Sequence, residues 1–512
     1  MGRDMCIRKY ITSRLLVSLI IFSLSLNLIP SPVSAHSSVK YVILLVGDGL
    51  GANQIQAANA YSGTTPAYQN WDRYWVTTYP KGGSYDPARA WSNFDYVQNG
   101  ATDSAAAASA MYSGKKTSNG NLSVTPDLEA RLFTIAEKAH SVNWAAGAVS
   151  SVYISHATPG AWFSHNRSRS NGFAIADEAL WGDPNTTGSE STDPLYAGGY
   201  GPTSPAADVL IGAGHPYWSG DDYVNQQMRT KLVMDSSASN TFSFVERVSG
   251  SPDGGQRLLQ SASDPAISRL VGLFGGVGGN LEYRLADGSG TTPENPTLAQ
   301  MAQAALEVLQ RNPNGFVLMI EGGAIDWGSH LNDMNKTVGE VIAFNEAVQA
   351  VIDWVDNPSN GSSWENTLVI VTADHETGYL SAAPGSPANL PLGTVNAHSL
   401  SLEKTMASSS RRASWEDADL DRVIDAGEQV YWAWNSGGHT NSLVPLFTKG
   451  NGASLFNRYA RGSDPVRGAY MDNTNIFDVM NTVITAPGPT PGGGSNTDQL
   501  QIFFPFVIGP QQ

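Results

Sequence analysis

A serine stands at the head of an alanine run: within Gly100 to Gly114, Thr102-Asp103-Ser104 leads directly into Ala105-Ala106-Ala107-Ala108. Alanine is the strongest helix former, so a helix is predicted from about Ala105, with Asp103 or Ser104 at its N-cap. Alone, this reads as a polar cap on a buried, small-residue helix. It is also a place where a nucleophilic hydroxyl would meet the positive end of a helix and where a phosphate is welcome. Acids and imidazoles elsewhere decide between the two. Asp48, Glu321 and Asp374 each close an apolar run, and His330, His375 and His439 lie beside or between them. Asp326 and His330 are four apart, the spacing that puts two ligands on one helical face. A histidine and carboxylate set suits zinc, and its oxygen-rich positions suit magnesium.

The elements that must position these groups are legible as periodicity. Val39 to Val46, Gly315 to Ile320 and Thr367 to Thr372 are continuous apolar runs, predicted as central parallel strands buried on both faces. In an open α/β sheet, ligands bind at the carboxyl ends of strands. One acid there is unremarkable, and Asp48 alone reads equally as a cap for a helix over Gln54 to Ala60. Three such acids with three histidines read as a multinuclear metal site. Shorter strands are predicted at Ala145 to Ser150, Asp208 to Gly214, Leu270 to Phe274 and Leu443 to Phe447. Helical spacing marks Asp127 to His140, Thr297 to Gln310 and Val338 to Val355. His156-Ala157-Thr158-Pro159, His165 and Arg167-Ser168-Arg169 follow the Ala145 strand; singly, each reads as structural. Asn171 to Pro296, rich in Gly, Ser and Pro, is read as loops and surface insertions between core elements, and 381–435 as a second insertion.

The chain has 512 residues, of which only 15% are charged, and a net charge of −16. That balance argues against nucleic acid or an anionic membrane as a partner. An acidic protein handling an anionic substrate needs local positive charge, from metals or a placed arginine. Arg3, Arg8, Lys9 and Arg14 precede the apolar run Leu15 to Ile29, and Val33-Ser34-Ala35 has the form of a leader-peptidase site. Residues 1–35 are therefore read as a signal peptide and the mature protein as exported, with no transmembrane anchor. This segment is +3 from four basic residues and one acidic, leaving −19 for the mature chain. Cys6, the single cysteine, lies in it, so no disulfide is expected afterwards. At the other end, 486–498 is a Pro/Gly/Ser linker. The apolar tail 499–512 is read either as a sorting signal or as a strand that packs back on the body.

Eight blocks, in order from about Val39 to Met480, resemble the alkaline phosphatase family: VILLVGDGLG, TDSAAAASAMYSG, HATP with the arginines, DVLIGAG, GLFGGVGGNLEYR, GFVLMIEGGAIDWGSH, VTADHETG and SGGHTNSLVPLF. The resemblance implies an α/β domain over 36–485, with a large mixed, mostly parallel central sheet and helices on both faces. It implies hydrolysis of small phosphate monoesters at two zinc ions and one magnesium. By it, Ser104 is the nucleophile that becomes a phosphoserine. Asp326, His330 and His439 match the ligands of one zinc, and Asp48, Asp374 and His375 those of the second. Asp48 bridges to a third site with Thr158 and Glu321. Arg169, thirteen residues after His156, matches the phosphate clamp and leaves Arg167 a bystander. His156 stands where some members carry Asp, and Trp327 where some carry Lys or His; both neighbour the third metal and the phosphate. Members are often dimeric, so a homodimer is an expectation of the resemblance. By this reading Thr102 and Asp103 are scaffolding.

The chemistry agrees with the residues. A serine hydroxyl needs an activator, and a metal pair roughly 4 Å apart can supply one while holding the attacking and leaving oxygens. Four ligand carboxylates against three divalent ions leave such a site net positive. Competing readings are a phosphodiesterase of the same superfamily and a non-catalytic phosphate- or metal-binding surface protein. A sulfatase needs a CxPxR-like frame that Ser104-Ala105-Ala106 lacks. Separately, Asp417 to Glu428 follows a calcium-loop pattern, with Asp417, Asp419 and Asp421 at positions 1, 3 and 5. Val423 would offer its carbonyl, Asp425 is position 9 and Glu428 position 12, while Arg422 replaces the usual glycine. The alternative is an acidic surface loop.

Overall fold

A computed structural model describes residues 39–187, 206–220, 222–382, 393–406 and 411–485. The segments read as a leader (1–35), a linker (486–498) and an apolar tail (499–512) lie outside these residues. The core strands in chain order are β1 (Tyr41–Gly47), β2 (Asp72–Thr77), β3 (Ala145–Tyr153), β4 (Val209–Ala213), β5 (Phe242–Glu246), β6 (Arg269–Leu273), β7 (Phe316–Gly322) and β8 (Thr367–Ala373). Short pieces follow: β9 (Glu376–Thr377), β10 (Leu380–Ser381), β11 (Glu403–Thr405), β12 (Arg412–Trp415), β13 (Val430–Trp434) and β14 (His439–Thr440). The last are β15 (Val444–Gly450), β16 (Gly462–Asp464) and β17 (Gly468–Asp472).

Eleven strands form one sheet in the order β16-β17-β2-β15-β8-β1-β7-β3-β4-β6-β5. The seven from β8 to β5 are parallel, and β15 lies antiparallel between β8 and β2. The sheet is therefore mixed and mostly parallel. Every residue of β1, β7 and β8 is buried, as their unbroken apolar runs require. Two helix groups cover the sheet. Gly254–Ser263, Leu298–Leu309, Met334–Val355 and Ala52–Ser62 pack together, as do Ser104–Ser113, Ile135–Ser141, Ala157–Phe163 and Thr474–Thr485. Among the described residues no helix is long and apolar enough to cross a membrane.

The structure corrects two sequence readings. Residues 171–296 are not mainly insertions, because β4, β5 and β6 extend the main sheet and three helices of ten residues or more lie between and around them. Their Gly, Ser and Pro residues sit largely in connections. Edge strand β5 buries only Phe242 and Val245, and helix Gln226–Ser237 buries only Met228 and Leu232, so neither has a long apolar run. The helix expected over Asp127 to His140 begins only at Ile135. Thr134 and Glu137 form a capping box there, and Leu128 sits at φ +63°, which a helix does not allow. Strands β10-β13-β12-β11 form a four-stranded sheet separate from the main one.

His165 ties the Ser104 side of the sheet together. Its Nδ1 lies 3.0 Å from Glu178 Oε1, and its Nε2 lies 3.0 Å from the Leu132 carbonyl and 3.4 Å from Glu137 Oε2. Both nitrogens face acceptors, so the ring is an imidazolium. Burial opposes that charge, but the bonds to Glu137 and Glu178 outweigh it and push the ring up to about 9. An unfolded histidine titrates near 6.5. The folded value is the higher one, so the stabilisation is complete below about pH 6.5 and disappears as pH rises through about 9. We expect the gap in denaturation midpoint between wild type and His165→Gln to be largest near pH 6 and to shrink by pH 9. In free energy the change is on the order of 3 kcal/mol. A gap independent of pH would refute the charged state.

Candidate active site

Ser104 is the first residue of helix Ser104–Ser113, and Asp103 is its N-cap, with Oδ1 accepting from the Ala106 N–H at 2.9 Å. All ten helical residues are buried. Ser104 Oγ lies 3.2 Å from His375 Nε2. Asp48 is not a helix cap, since the Ala52–Ser62 helix is capped by Gly51. The β1 register sets Val46 level with Glu321 and Thr372, and Gly47 with Gly322 and Ala373. Asp48 and Asp374 therefore emerge level with each other from adjacent strands, and Glu321 stands two residues earlier on the third. Gly49 (φ +72°) lets this turn lie against the Asp326 helix, because a Cβ there would stand 2.8 Å from Asp326 Cα. Its N–H also donates to Asp374 Oδ1 at 3.1 Å.

Asp326, His330 and His439 meet on the more open side, where the His330 side chain is 38% exposed. His330 Nδ1 donates to the Gly437 carbonyl and His439 Nδ1 to the Thr102 carbonyl, both at 2.8 Å. Those bonds leave both Nε2 atoms turned inward, 3.0 Å apart and 3.3 and 3.5 Å from the two Asp326 oxygens. Two imidazole lone pairs at that distance repel unless a positive charge sits between them. Without a metal, a proton does so: burial opposes it, but Asp326 outweighs burial and pushes His330 up to about 9.

Deeper in, His375 Nε2 lies 3.4 Å from Asp48 Oδ1 and 3.2 Å from Asp374 Oδ2. His156 Nδ1 lies 4.0 Å from Asp48 Oδ2 and 3.9 Å from Glu321 Oε1. Both Asp48 oxygens, Glu321 Oε1, Asp374 Oδ2 and Thr158 Oγ1 are buried without a hydrogen-bond partner among the described residues. Burial, then repulsion from Asp374, Asp326 and Glu321, raises Asp48 well above the carboxylate range. Burial and Asp326 push Asp374 up to about 8. Burial, with His439 beside it, holds His375 well below the usual imidazole value. Neutral imidazoles, orphaned oxygens and crowded acids are the donor set of divalent cations. His375 and the unpartnered oxygens of Asp48, Asp374, Glu321 and Thr158 could hold such cations.

Arg169 points its guanidinium into this site, with Nη1 3.1 Å from Asp103 Oδ2 and Nη2 3.1 Å from His156 Nε2. Asp103 is thus more than scaffolding: one oxygen caps the Ser104 helix and the other aims Arg169. A long-range ion pair carries no local signal, so only the cap was legible. Thr102 contributes its carbonyl to His439. Thr377, inside VTADHETG, was also passed over; its hydroxyl donates to Asp326 Oδ1 and faces His375 Nδ1 at 3.3 Å. Trp327 lies edge-on to His156 (5.8 Å between centroids) and beside Tyr153, which stacks on Tyr223 at 4.0 Å. Among the acidic-loop residues, Asp417, Asp419 and Glu428 converge, as do Asp419, Asp421 and Asp425.

The sequence profile described as "Alkaline phosphatase" matches residues 39–486. The chain belongs to the alkaline phosphatase family. It is 28% identical to alkaline phosphatase 3 of Bacillus subtilis over 461 residues, covering 82% of this chain and 86% of that one. It is 31% identical to the alkaline phosphatase of Escherichia coli over 370 residues, covering 68% and 72%. The alkaline phosphatase structure from Thermus thermophilus is similar with a TM-score of 0.59 at 21% identity, covering 90% of this chain and 95% of that one. That of the Antarctic bacterium TAB5 has a TM-score of 0.57 at 22% identity, covering 87% and 98%. These structures share the fold, a large mixed sheet with helices. As a member of the alkaline phosphatase family, the chain is a phosphomonoesterase.

The dual role of Asp103 is separable. Asparagine also caps helices, so Asp103→Asn should keep the melting temperature while removing the ion pair to Arg169. Inhibition by inorganic phosphate should weaken several-fold. Asp103→Ala should lose the cap as well, at about 1 kcal/mol. Equal phosphate inhibition in wild type and Asp103→Asn would separate Asp103 from the arginine.

Proposed function

We propose that the chain hydrolyses phosphate monoesters to an alcohol and inorganic phosphate through a phosphoserine at Ser104, at a centre of two zinc ions and one magnesium. The observation that carries this reading is the inward-facing His330 and His439 pair beside Asp326, together with His375, whose Nε2 faces Ser104 Oγ and the partly unpartnered carboxylates of Asp48 and Asp374. Asp326, His330 and His439 would hold one zinc; Asp48, Asp374 and His375 the other; and Asp48, Thr158 and Glu321 the magnesium. When bound, the ions lower the pKa of the serine hydroxyl and of water and offset charge on the attacking and leaving oxygens.

The chain's own groups do the rest. Ser104 Oγ attacks phosphorus, forming one P–O bond as the ester P–O bond breaks on the opposite side; the hydroxyl gives its proton to solvent, and the departing alkoxide takes one from water and leaves as the alcohol. The N-terminus of the Ser104 helix presents backbone N–H groups and partial positive charge to the phosphoryl oxygens. Arg169 grips two of those oxygens, held at its angle by Asp103 and His156. Water then attacks phosphorus, releasing phosphate and restoring the serine hydroxyl. His375 Nε2 faces Ser104 Oγ and two carboxylates at once, and its depressed basicity suits a ligand better than a general base. Export is part of the proposal, since the leader-like 1–35 carries the only cysteine and the remaining chain needs no reducing compartment.

Ser104→Ala should lower monoesterase activity by about a thousandfold or more while retaining bound metal. Arg169→Ala should lower kcat/KM by roughly tenfold to a hundredfold. Enzyme quenched in acid during turnover should carry phosphate on Ser104 by mass spectrometry. Metal analysis should return two zinc and one magnesium per chain. Unlabelled Ser104 with an active Ser104→Ala variant would overturn the phosphoserine, and a diester cleaved faster than a monoester would move the substrate class.

A further inference from the structure

The loop between β12 and β13 takes no part in the chemistry above. Six carboxylates fall within it: Glu416 at its start and then Asp417, Asp419, Asp421, Asp425 and Glu428. One oxygen from each of Asp417, Asp419 and Glu428 lies within 4.8 Å of the others, and the same holds for Asp419, Asp421 and Asp425. Asp419 belongs to both groups. The two ends of the loop are closed on each other, with Glu428 Oε1 accepting from the Ala418 N–H at 2.7 Å and Oε2 from the Asp425 N–H at 3.0 Å. Arg422, where glycine is usual, adopts the left-handed conformation all the same, at φ +66°. Ile424 packs against the small core of Ala413, Trp415 and Ala433, which seats the loop on its sheet.

An acidic loop with such turns is often only a solvated surface. Asp417 separates the cases. Its residue is 9% exposed, and Oδ1 is buried with no hydrogen-bond partner among the described residues. Lys404 Nζ meets the other oxygen at 3.0 Å. Backbone N–H groups of Leu420 and Arg422 lie near the carboxylate, but none completes a bond to Oδ1. A buried, unsatisfied carboxylate oxygen inside a group of converging acids calls for a cation.

We infer that Asp417–Glu428 is a calcium site, with side-chain oxygens of Asp417, Asp419, Asp421, Asp425 and Glu428 and the Val423 carbonyl as ligands. The ligands are all hard oxygens, with no imidazole, which favours calcium over zinc. Their flexible, multidentate arrangement favours it over magnesium, which demands near-octahedral geometry. The dissociation constant is on the order of 10⁻⁴ M, as in extracellular modules. The site is structural: it clamps the β12–β13 hairpin, and β13 runs from Val430 to Trp434, five residues before His439.

The test uses the full enzyme, dialysed free of calcium with zinc and magnesium held constant. Adding millimolar calcium should raise the denaturation midpoint by roughly 2–5 °C, and equal added magnesium should not. Terbium should bind with luminescence sensitised by Trp415, two residues from Asp417, and calcium should displace it. Asp419→Ala and the near-isosteric Glu428→Gln should each lose the calcium shift and at least tenfold of the terbium affinity. Glu428→Gln should keep wild-type phosphatase activity and its calcium-free midpoint, which shows that it folds. Wild type with neither a shift nor a terbium signal overturns the site. So does retention of calcium binding by either variant.

Discussion

Too much negative charge is buried in one place. Asp48, Glu321 and Asp374 have no solvent exposure, and the parallel register of β8, β1 and β7 brings them out within two residues of the same level. In a medium of low dielectric such groups cannot all ionise together; they take up protons or acquire cations. Their neighbours answer that demand. His375 and His439 are held neutral, with nitrogens free to donate, and His330 offers its inward nitrogen once its proton is displaced. Arg169 brings a fixed cation. With the proposed metal ions bound, a chain that is −16 overall would present a positive pocket to a phosphate dianion. The local field at the strand ends, and not the net charge, decides what binds.

Much of this was legible because the site hangs on the most regular part of the fold. Val39 to Val46, Gly315 to Ile320 and Thr367 to Thr372 have no polar interruption, and a strand buried on both faces has no other way to be written. The acids at their ends were therefore placed before any coordinates. Asp326 and His330 were legible because helical spacing is local. What was not legible depends on distance. The Asp103–Arg169 pair spans 66 residues, and the Thr377 contact to Asp326 spans 51. Neither sequence neighbourhood hints at its partner. The region 171–296 is less legible for another reason: β5 lies at the edge of the sheet and helix Gln226–Ser237 buries only Met228 and Leu232, so solvent-facing polar positions dilute the pattern there.

The small residues of the Ser104 helix acquire a purpose from packing. Ala105 to Ala108 are all buried, and the helix lies against Ala157–Phe163 and Thr474–Thr485. Larger side chains would lift it from the strand ends and carry Ser104 away from His375. The Thr102 carbonyl, two residues before Ser104, receives the His439 Nδ1–H. A shift of the helix start therefore turns the His439 imidazole, so the Ser104 hydroxyl and that ring move as one body.

The histidine that completes this arrangement comes late in the chain. Asp48 leaves β1 near the amino end, whereas His439 lies beyond every parallel strand from β8 to β5 and only 46 residues before the last described residue. During synthesis all seven parallel strands and the three acids at their ends are made before His439. A chain cut before His439 would bury those acids without the imidazole that faces Asp326. The order of synthesis therefore builds the acidic corner first and adds this weakly basic partner afterwards.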